Sequence, residues 1–199
     1  MVKAPRRCPW SRSEAIYTRY HDEEWGVPTR DPGALFELLV LEGMQAGLSW
    51  ITILKKRRHM RAAFHGFDVA RIAQAGSREI ERWLGDAGVI RHRGKLEGMV
   101  ANARAYQELE PRGGFVDFLW SFVDDAPLLN RWRRSADVPS STPRSNAMSK
   151  ALRAHGFTFV GPTICYALMQ SGGFVNDHLV GCFRHAECQR PETLRRCVD

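Results

Sequence analysis

Leu84-Gly85-Asp86-Ala87-Gly88-Val89-Ile90-Arg91-His92-Arg93-Gly94-Lys95 is the stretch on which the fold turns. Before it, Ile80, Trp83 and Leu84 recur at helical spacing, and after it a second helical pattern runs from Gly94 to Tyr106. Glycines at 85, 88 and 94 punctuate the join, so the stretch reads as a helix-hairpin-helix. In that motif, glycine turns let backbone N–H groups at a helix N-terminus approach a phosphate while nearby cations neutralise it. Gly88, Arg91, Arg93, Gly94 and Lys95 are therefore candidate phosphate contacts, the alternative being a solvated basic loop.

Outward from the hairpin the same periodicity continues. Asp31 and Pro32 open a segment carrying Leu35, Phe36, Leu38, Leu39 and Glu42 on one stripe, which runs to about residue 46. Residues 49–64 form a second amphipathic helix with Lys55-Lys56-Arg57-Arg58 outward and Gly66 as its stop signal. Ser77 starts the helix that enters the hairpin. A break at 111–114 precedes a short aromatic segment at 115–123, and 135–144 reads as a surface loop. Ser145 is expected to cap a helix to His155, and Pro162 to start another that ends at Gly172-Gly173. No sustained apolar and polar alternation suggests a sheet. The expectation is an all-α fold of eight to ten helices, a single domain over residues 1–183 followed by a polar, flexible tail at 184–199.

Composition narrows the class. A chain of 199 residues, 44% hydrophobic and with six Trp, excludes a disordered protein. A net charge of +7 suits a polyanionic partner, or is simply a solvated basic face. The start, Met1-Val2-Lys3-Ala4-Pro5-Arg6-Arg7, lacks the apolar run of a signal peptide, and no stretch approaches a membrane span. Five Cys in irregular spacing argue for a reducing compartment and for metal or core roles. A cytoplasmic protein without membrane contact is expected.

Three constellations carry chemistry. Cys8 and His21 near the start, with His178 and Cys182 near the end, are the soft ligands of a tetrahedral zinc clasp joining the termini; ordinary buried Cys and His are the alternative. Glu42 shares the core-facing side of its helix with Leu38 and Leu39. A desolvated carboxylate there raises its pKa or finds a donor, unless it snorkels or pairs with an Arg at the stripe's edge. Directly after it, Gly43, Gln45, Gly47, Leu48 and Trp50 make a turn able to present an apolar wedge to a base stack. Trp10, Tyr17, Tyr20 and Trp25 gather near the first ligand pair, either as core or as a box for a flat, electron-poor base.

The segments Tyr20-His21-Asp22-Glu23-Glu24-Trp25-Gly26-Val27-Pro28, Leu41-Glu42-Gly43-Met44-Gln45-Ala46-Gly47-Leu48-Ser49-Trp50, Ala87-Gly88-Val89-Ile90-Arg91-His92-Arg93-Gly94-Lys95 and Val175-Asn176-Asp177-His178 together closely resemble the bacterial 3-methyladenine DNA glycosylase I family. The resemblance runs from about Cys8 to Cys182. It implies a helix-hairpin-helix glycosylase fold in which Cys8, His21, His178 and Cys182 hold one structural Zn²⁺. It further implies Glu42 as the catalytic, base-recognising carboxylate, with Tyr17, Tyr20 and Trp50 lining the base pocket and Trp10 and Trp25 beside it. Gln45, Gly47 and Leu48 would meet DNA where the damaged nucleotide leaves the duplex, and Gly88, Arg91, Arg93, Gly94 and Lys95 would hold its backbone. The implied activity is hydrolysis of the N-glycosidic bond of 3-methyladenine in double-stranded DNA by a cytoplasmic, nucleoid-acting monomer, leaving an abasic site without strand cleavage.

The family lacks the catalytic Asp that its relatives place after the hairpin, and Asp117, beyond the 111–114 break, is not nominated for that role. Cys188 is a rival zinc ligand, and Cys197 has no assigned role. Two other readings stand beside the first. One is a module that binds distorted DNA without cutting the bond; the other is a glycosylase accepting further alkylated purines.

Overall fold

The computed structural model describes residues 5–189. Among the described residues are ten α-helices: α1 (Ala15–Glu23), α2 (Pro32–Gln45), α3 (Trp50–Ala63), α4 (Val69–Ala73), α5 (Ser77–Gly85), α6 (Arg93–Leu109), α7 (Phe115–Trp120), α8 (Pro143–Ala154), α9 (Pro162–Ser171) and α10 (Phe183–Glu187). Short 3-10 turns fill several connections. No helix among the described residues is long and apolar enough to cross a membrane.

The fold is built around α2. Asp31 caps it by accepting from the Ala34 amide at 2.6 Å, and Pro32, with no amide to satisfy, takes its first turn. From Leu35 to Met44 every residue is buried, because α3, α6, α7 and α9 pack around it. The stripe read from sequence is thus a helix buried all round, which is what its nearly continuous apolar run dictates. Leu35, Leu39 and Leu41 are almost wholly excluded from water. Truncating any of them to Ala is expected to cost about 2–5 kcal/mol, the lost transfer energy plus the cavity.

Three local expectations are corrected. Helix α8 begins at Pro143, with Thr142 as its cap: the Thr142 hydroxyl accepts from the Ser145 amide, and the Ser145 hydroxyl accepts from the Thr142 amide. Ser145 therefore completes the capping box from inside the helix. A two-stranded parallel pair also exists, β1 (Leu128–Leu129) against β2 (Val175–Asn176), with Leu128 opposite Val175. Two residues a side leave no periodicity for a sequence to show. Lastly, the segment after Phe183 is not all tail. It forms α10 and buries His185 and Cys188, while residues 190–199, including Cys197, lie outside the described residues.

Candidate active site and metal centre

Burial makes Glu42 unusual. It is 4% exposed on α2, and loss of water pushes its carboxyl up to about 8, opposed only by a hydrogen bond from the Ser171 hydroxyl. Pairing with arginine, the alternative open from sequence, falls to a neighbour instead: Glu37 on the same helix accepts from Arg57 Nε at 2.8 Å and also from Arg61. Glu42 thus stands without a cation beside a cavity of about 420 Å³. That volume suits a small planar ligand.

Around the carboxylate the cavity is lined by Trp10, Tyr17, Tyr20, Trp25, Gln45 and Trp50. Tyr20 and Tyr17 come from α1, Trp50 from the first residue of α3. Trp10 stands edge-on to Tyr17 and Trp25, with ring centroids 5.4 and 5.0 Å away, and Tyr20 is 5.5 Å from Trp50. Burial raises the Tyr20 hydroxyl well above its ordinary value, and the Glu42 and Glu24 carboxylates add to that. Tyr20 therefore stays a neutral phenol. The Trp50 indole N–H has no acceptor among the described residues, a donor whose cost falls if a ligand accepts from it.

Asp177 stands in one of the motif segments but has no role legible from sequence. Its buried carboxylate also lines the cavity and accepts four hydrogen bonds: Asn130 Nδ2 (2.6 Å), Trp132 Nε1 (2.8 Å), the Tyr166 hydroxyl (2.6 Å) and Gln170 Nε2 (2.8 Å). With its lone pairs engaged, it ties the chain around β1 to α9 and shapes the wall. Asp117, by contrast, is exposed and pairs with Arg30.

Cys8, His21, His178 and Cys182 converge into a buried group whose ligand atoms all lie within 4.8 Å of one another. Cys182 Sγ is 3.4 Å from His21 Nε2 and 3.7 Å from His178 Nδ1, which is 3.8 Å from Cys8 Sγ. Metal–ligand bonds of ~2.0 Å to nitrogen and ~2.3 Å to sulfur at tetrahedral angles require edges of about 3.3–3.8 Å, so these three contacts match a metal site and the widest pair need close by only about 1 Å. The far ring nitrogens are engaged as metal-ligating histidines require: His21 Nδ1 bonds Asp22 at 2.8 Å and His178 Nε2 bonds the Trp25 carbonyl at 2.9 Å. Arg7 in turn holds Asp22. Gly26 makes the second contact possible, since a Cβ there would come 2.9 Å from His178 Nε2. In the protein alone, Cys182 is the thiol held down, by a hydrogen bond from Cys8 and contacts with both imidazoles, and Cys8 is the one pushed up.

At the outer face, Gln45 Nε2 donates to the Leu48 carbonyl at 2.8 Å, and Gly47 takes a φ of 76° that a side chain would oppose. The turn so formed leaves Leu48 40% exposed. Between α5 and α6 the turn at residues 86–92 carries the expected basic residues, with two corrections. Lys95 does not face solvent: it is 7% exposed, and its Nζ donates to the Met44 and Ala46 carbonyls at 2.8 and 2.6 Å, the unpaired C-terminal end of α2. The Gly88 amide is likewise engaged, donating to Asp86 at 2.7 Å, and the His59 ring fills the space where a side chain at 88 would sit. What stays available is the α6 N-terminus. His92 caps it by accepting from the Lys95 amide, the Arg93 and Gly94 amides have no acceptor among the described residues, and Arg91 is exposed. Arg93 shares exposed ion pairs with Glu81 and Glu97, which hold it weakly.

A methyladenine glycosylase family model matches residues 10–185. The chain is 52% identical over 177 residues, 88% of its length and 95% of the relative's, to the DNA-3-methyladenine glycosylase 1 of Escherichia coli. A crystal structure of a 3-methyladenine DNA glycosylase I superposes with a TM-score of 0.88 at 52% identity, covering 89% of this chain and 98% of that one. A 35% identical relative from Staphylococcus aureus, solved to explain 3-methyladenine recognition, gives 0.87 over 91% and 97%. The chain belongs to the methyladenine glycosylase family.

Proposed function

We propose that this protein is a base-excision repair glycosylase that hydrolyses the N-glycosidic bond of 3-methyladenine in double-stranded DNA and leaves an abasic site. One observation carries the reading: a buried carboxylate with no cationic partner faces a base-sized aromatic cavity. Methylation at N3 gives adenine a formal positive charge and weakens the glycosidic bond, so strong acid catalysis is unnecessary. The flipped cation supplies the charge that Glu42 lacks, while neutral adenine must be unstacked at a cost of a few kcal/mol and gains little in return.

In this reading Glu42 accepts from the base edge and holds it as the bond breaks. Trp10, Tyr17, Tyr20, Trp25 and Trp50 enclose the ring, and Gln45, Gly47 and Leu48 occupy the gap in the stack. Arg91, Arg93 and the Gly94 amide hold backbone phosphate in a helix-hairpin-helix. Among the described residues no lysine lines the cavity, which supports base release without a Schiff base or strand cleavage. The four-residue clasp suits Zn²⁺, which would supply a structural cross-link, since four protein ligands fill its tetrahedron.

Release of free base from methylated duplex DNA, resolving 3-methyladenine from 7-methylguanine, tests the proposal. Selective release of 3-methyladenine is expected. Tight binding of the same DNA without release would make the protein a lesion-binding module instead.

A further inference from the structure

Phe159 joins a left-handed backbone to an exposed ring, whereas Phe67, also left-handed, is buried in the core. The Phe159 φ of 54° lies in the left-handed region, unfavourable for a bulky side chain, yet the residue is 36% exposed. Here the strained loop is clamped from within: buried Asn102 of α6 donates to the Thr158 carbonyl at 3.1 Å and accepts from the Thr158 amide at 2.7 Å.

Two helices leave room for this residue. A Cβ at Gly98 of α6 would meet the Phe159 ring at 2.8 Å, and one at Gly43 of α2 would meet the Phe159 Cβ at 3.3 Å. The ring tip, Cζ, reaches to 3.8 Å from the same position at Gly94, and the His92 ring stands edge-on at 6.4 Å. The tip is thus beside the open N-terminus of α6. Lys95, one residue on, bonds the Met44 and Ala46 carbonyls just before the turn that exposes Leu48. Phe159 and Leu48 are two of only four large hydrophobic side chains exposed among the described residues. Both flank the junction of hairpin and turn.

We propose that Phe159 is a second apolar DNA contact, its exposed ring edge packing on the sugar and base edge of a nucleotide adjoining the phosphate at the α6 N-terminus. The inference rests on the DNA reading of that face given above. Such a contact is indifferent to base sequence and releases no counterion, so it adds affinity without adding salt dependence.

The test measures duplex binding by fluorescence anisotropy across a salt series, together with melting temperature and affinity for free 3-methyladenine. The proteins are the unaltered chain, Phe159→Gly, Phe159→Tyr and Arg91→Ala. Phe159→Gly removes the ring while accepting the positive φ, so the backbone is not the casualty. Its duplex binding is expected to weaken about tenfold with an unchanged salt slope, melting and free-base affinity being kept, and Phe159→Tyr to match the parent. Undiminished duplex binding by Phe159→Gly overturns the proposal. So does a loss matched by lower melting and weaker free-base binding, which would make the ring a packing element only. If the unaltered protein shows no salt-dependent duplex binding, the DNA reading of this face falls and takes the inference with it.

Discussion

Glu37 and Glu42 sit on one helix, both buried, with opposite electrostatic fates. Glu37 is neutralised by Arg57 and Arg61; Glu42 has the Ser171 hydroxyl alone and is pushed up to about 8. Because a cationic base is matched by the ionised form, release should climb as pH rises toward 8, the cation itself drawing the ionisation lower. Glu42→Gln is expected to flatten that profile and slow release by ~100-fold or more, with duplex binding kept; single-turnover release across pH checks it. The same shift bears on stability. The folded pKa exceeds the ordinary value near 4.5, so the contribution is fully present below 4.5 and is lost as pH rises through about 8. At ~1.4 kcal/mol per tenfold change in acidity, ionised Glu42 costs the fold a few kcal/mol. Glu42→Gln should therefore melt higher than the parent at pH 9 and alike at pH 4, which paired thermal scans would show.

At the scale of elements, the α5–α6 turn and the turn after α2 act as one unit because Lys95 joins them. Its ammonium satisfies two carbonyls that the end of α2 would otherwise leave unpaired. Removing it should unfasten the Leu48 turn without removing a phosphate contact. Lys95→Met is expected to cost about 1–3 kcal/mol in denaturant unfolding and to slow base release, while the salt slope of duplex binding stays as in the parent. Arg91→Ala is expected to do the reverse, leaving stability intact and lowering the slope by about 1. Equal slopes for Arg91→Ala and the parent would remove Arg91 from the interface.

For the molecule as a whole, the Cys8, His21, His178 and Cys182 group lies directly behind one wall of the cavity. Cys8 and His178 lie 170 residues apart in sequence, so a shared metal closes nearly the entire described chain into a loop. Trp10 packs on His21 at 5.3 Å and Trp25 on His178 at 4.6 Å, so the candidate metal ligands carry two of the cavity's rings. Metal stripping with a chelator, or Cys8→Ala, should lower the melting temperature by ~10 °C or more and abolish base release together. Metal analysis of the purified protein should return one equivalent of zinc. Unchanged melting and no bound metal would refute the clasp.

Most of the helices were legible in the sequence because apolar residues at a period near 3.6 state which face must leave water, and the Asp31-Pro32 cap states where one begins. The cavity residues were legible as well. For Tyr17, Tyr20, Glu42 and Trp50 the resemblance named the roles, where the residues alone left core packing or an arginine partner open. Thr142's cap and the β1–β2 pair escaped notice, since the first depends on which of two hydroxyls meets an amide and the second on contacts across 47 residues, as between Asn130 and Asp177. The sequence by itself determined helical class, which follows from periodicity, while the candidates for pocket and clasp came from side-chain type joined to the family resemblance. Tertiary structure alone decided that Glu37 rather than Glu42 receives the arginines, that Lys95 turns inward, that Asp177 is saturated and that Phe159 is held outward in strain. Each of those depends on the distance between groups remote in the chain, and distance is what folding adds.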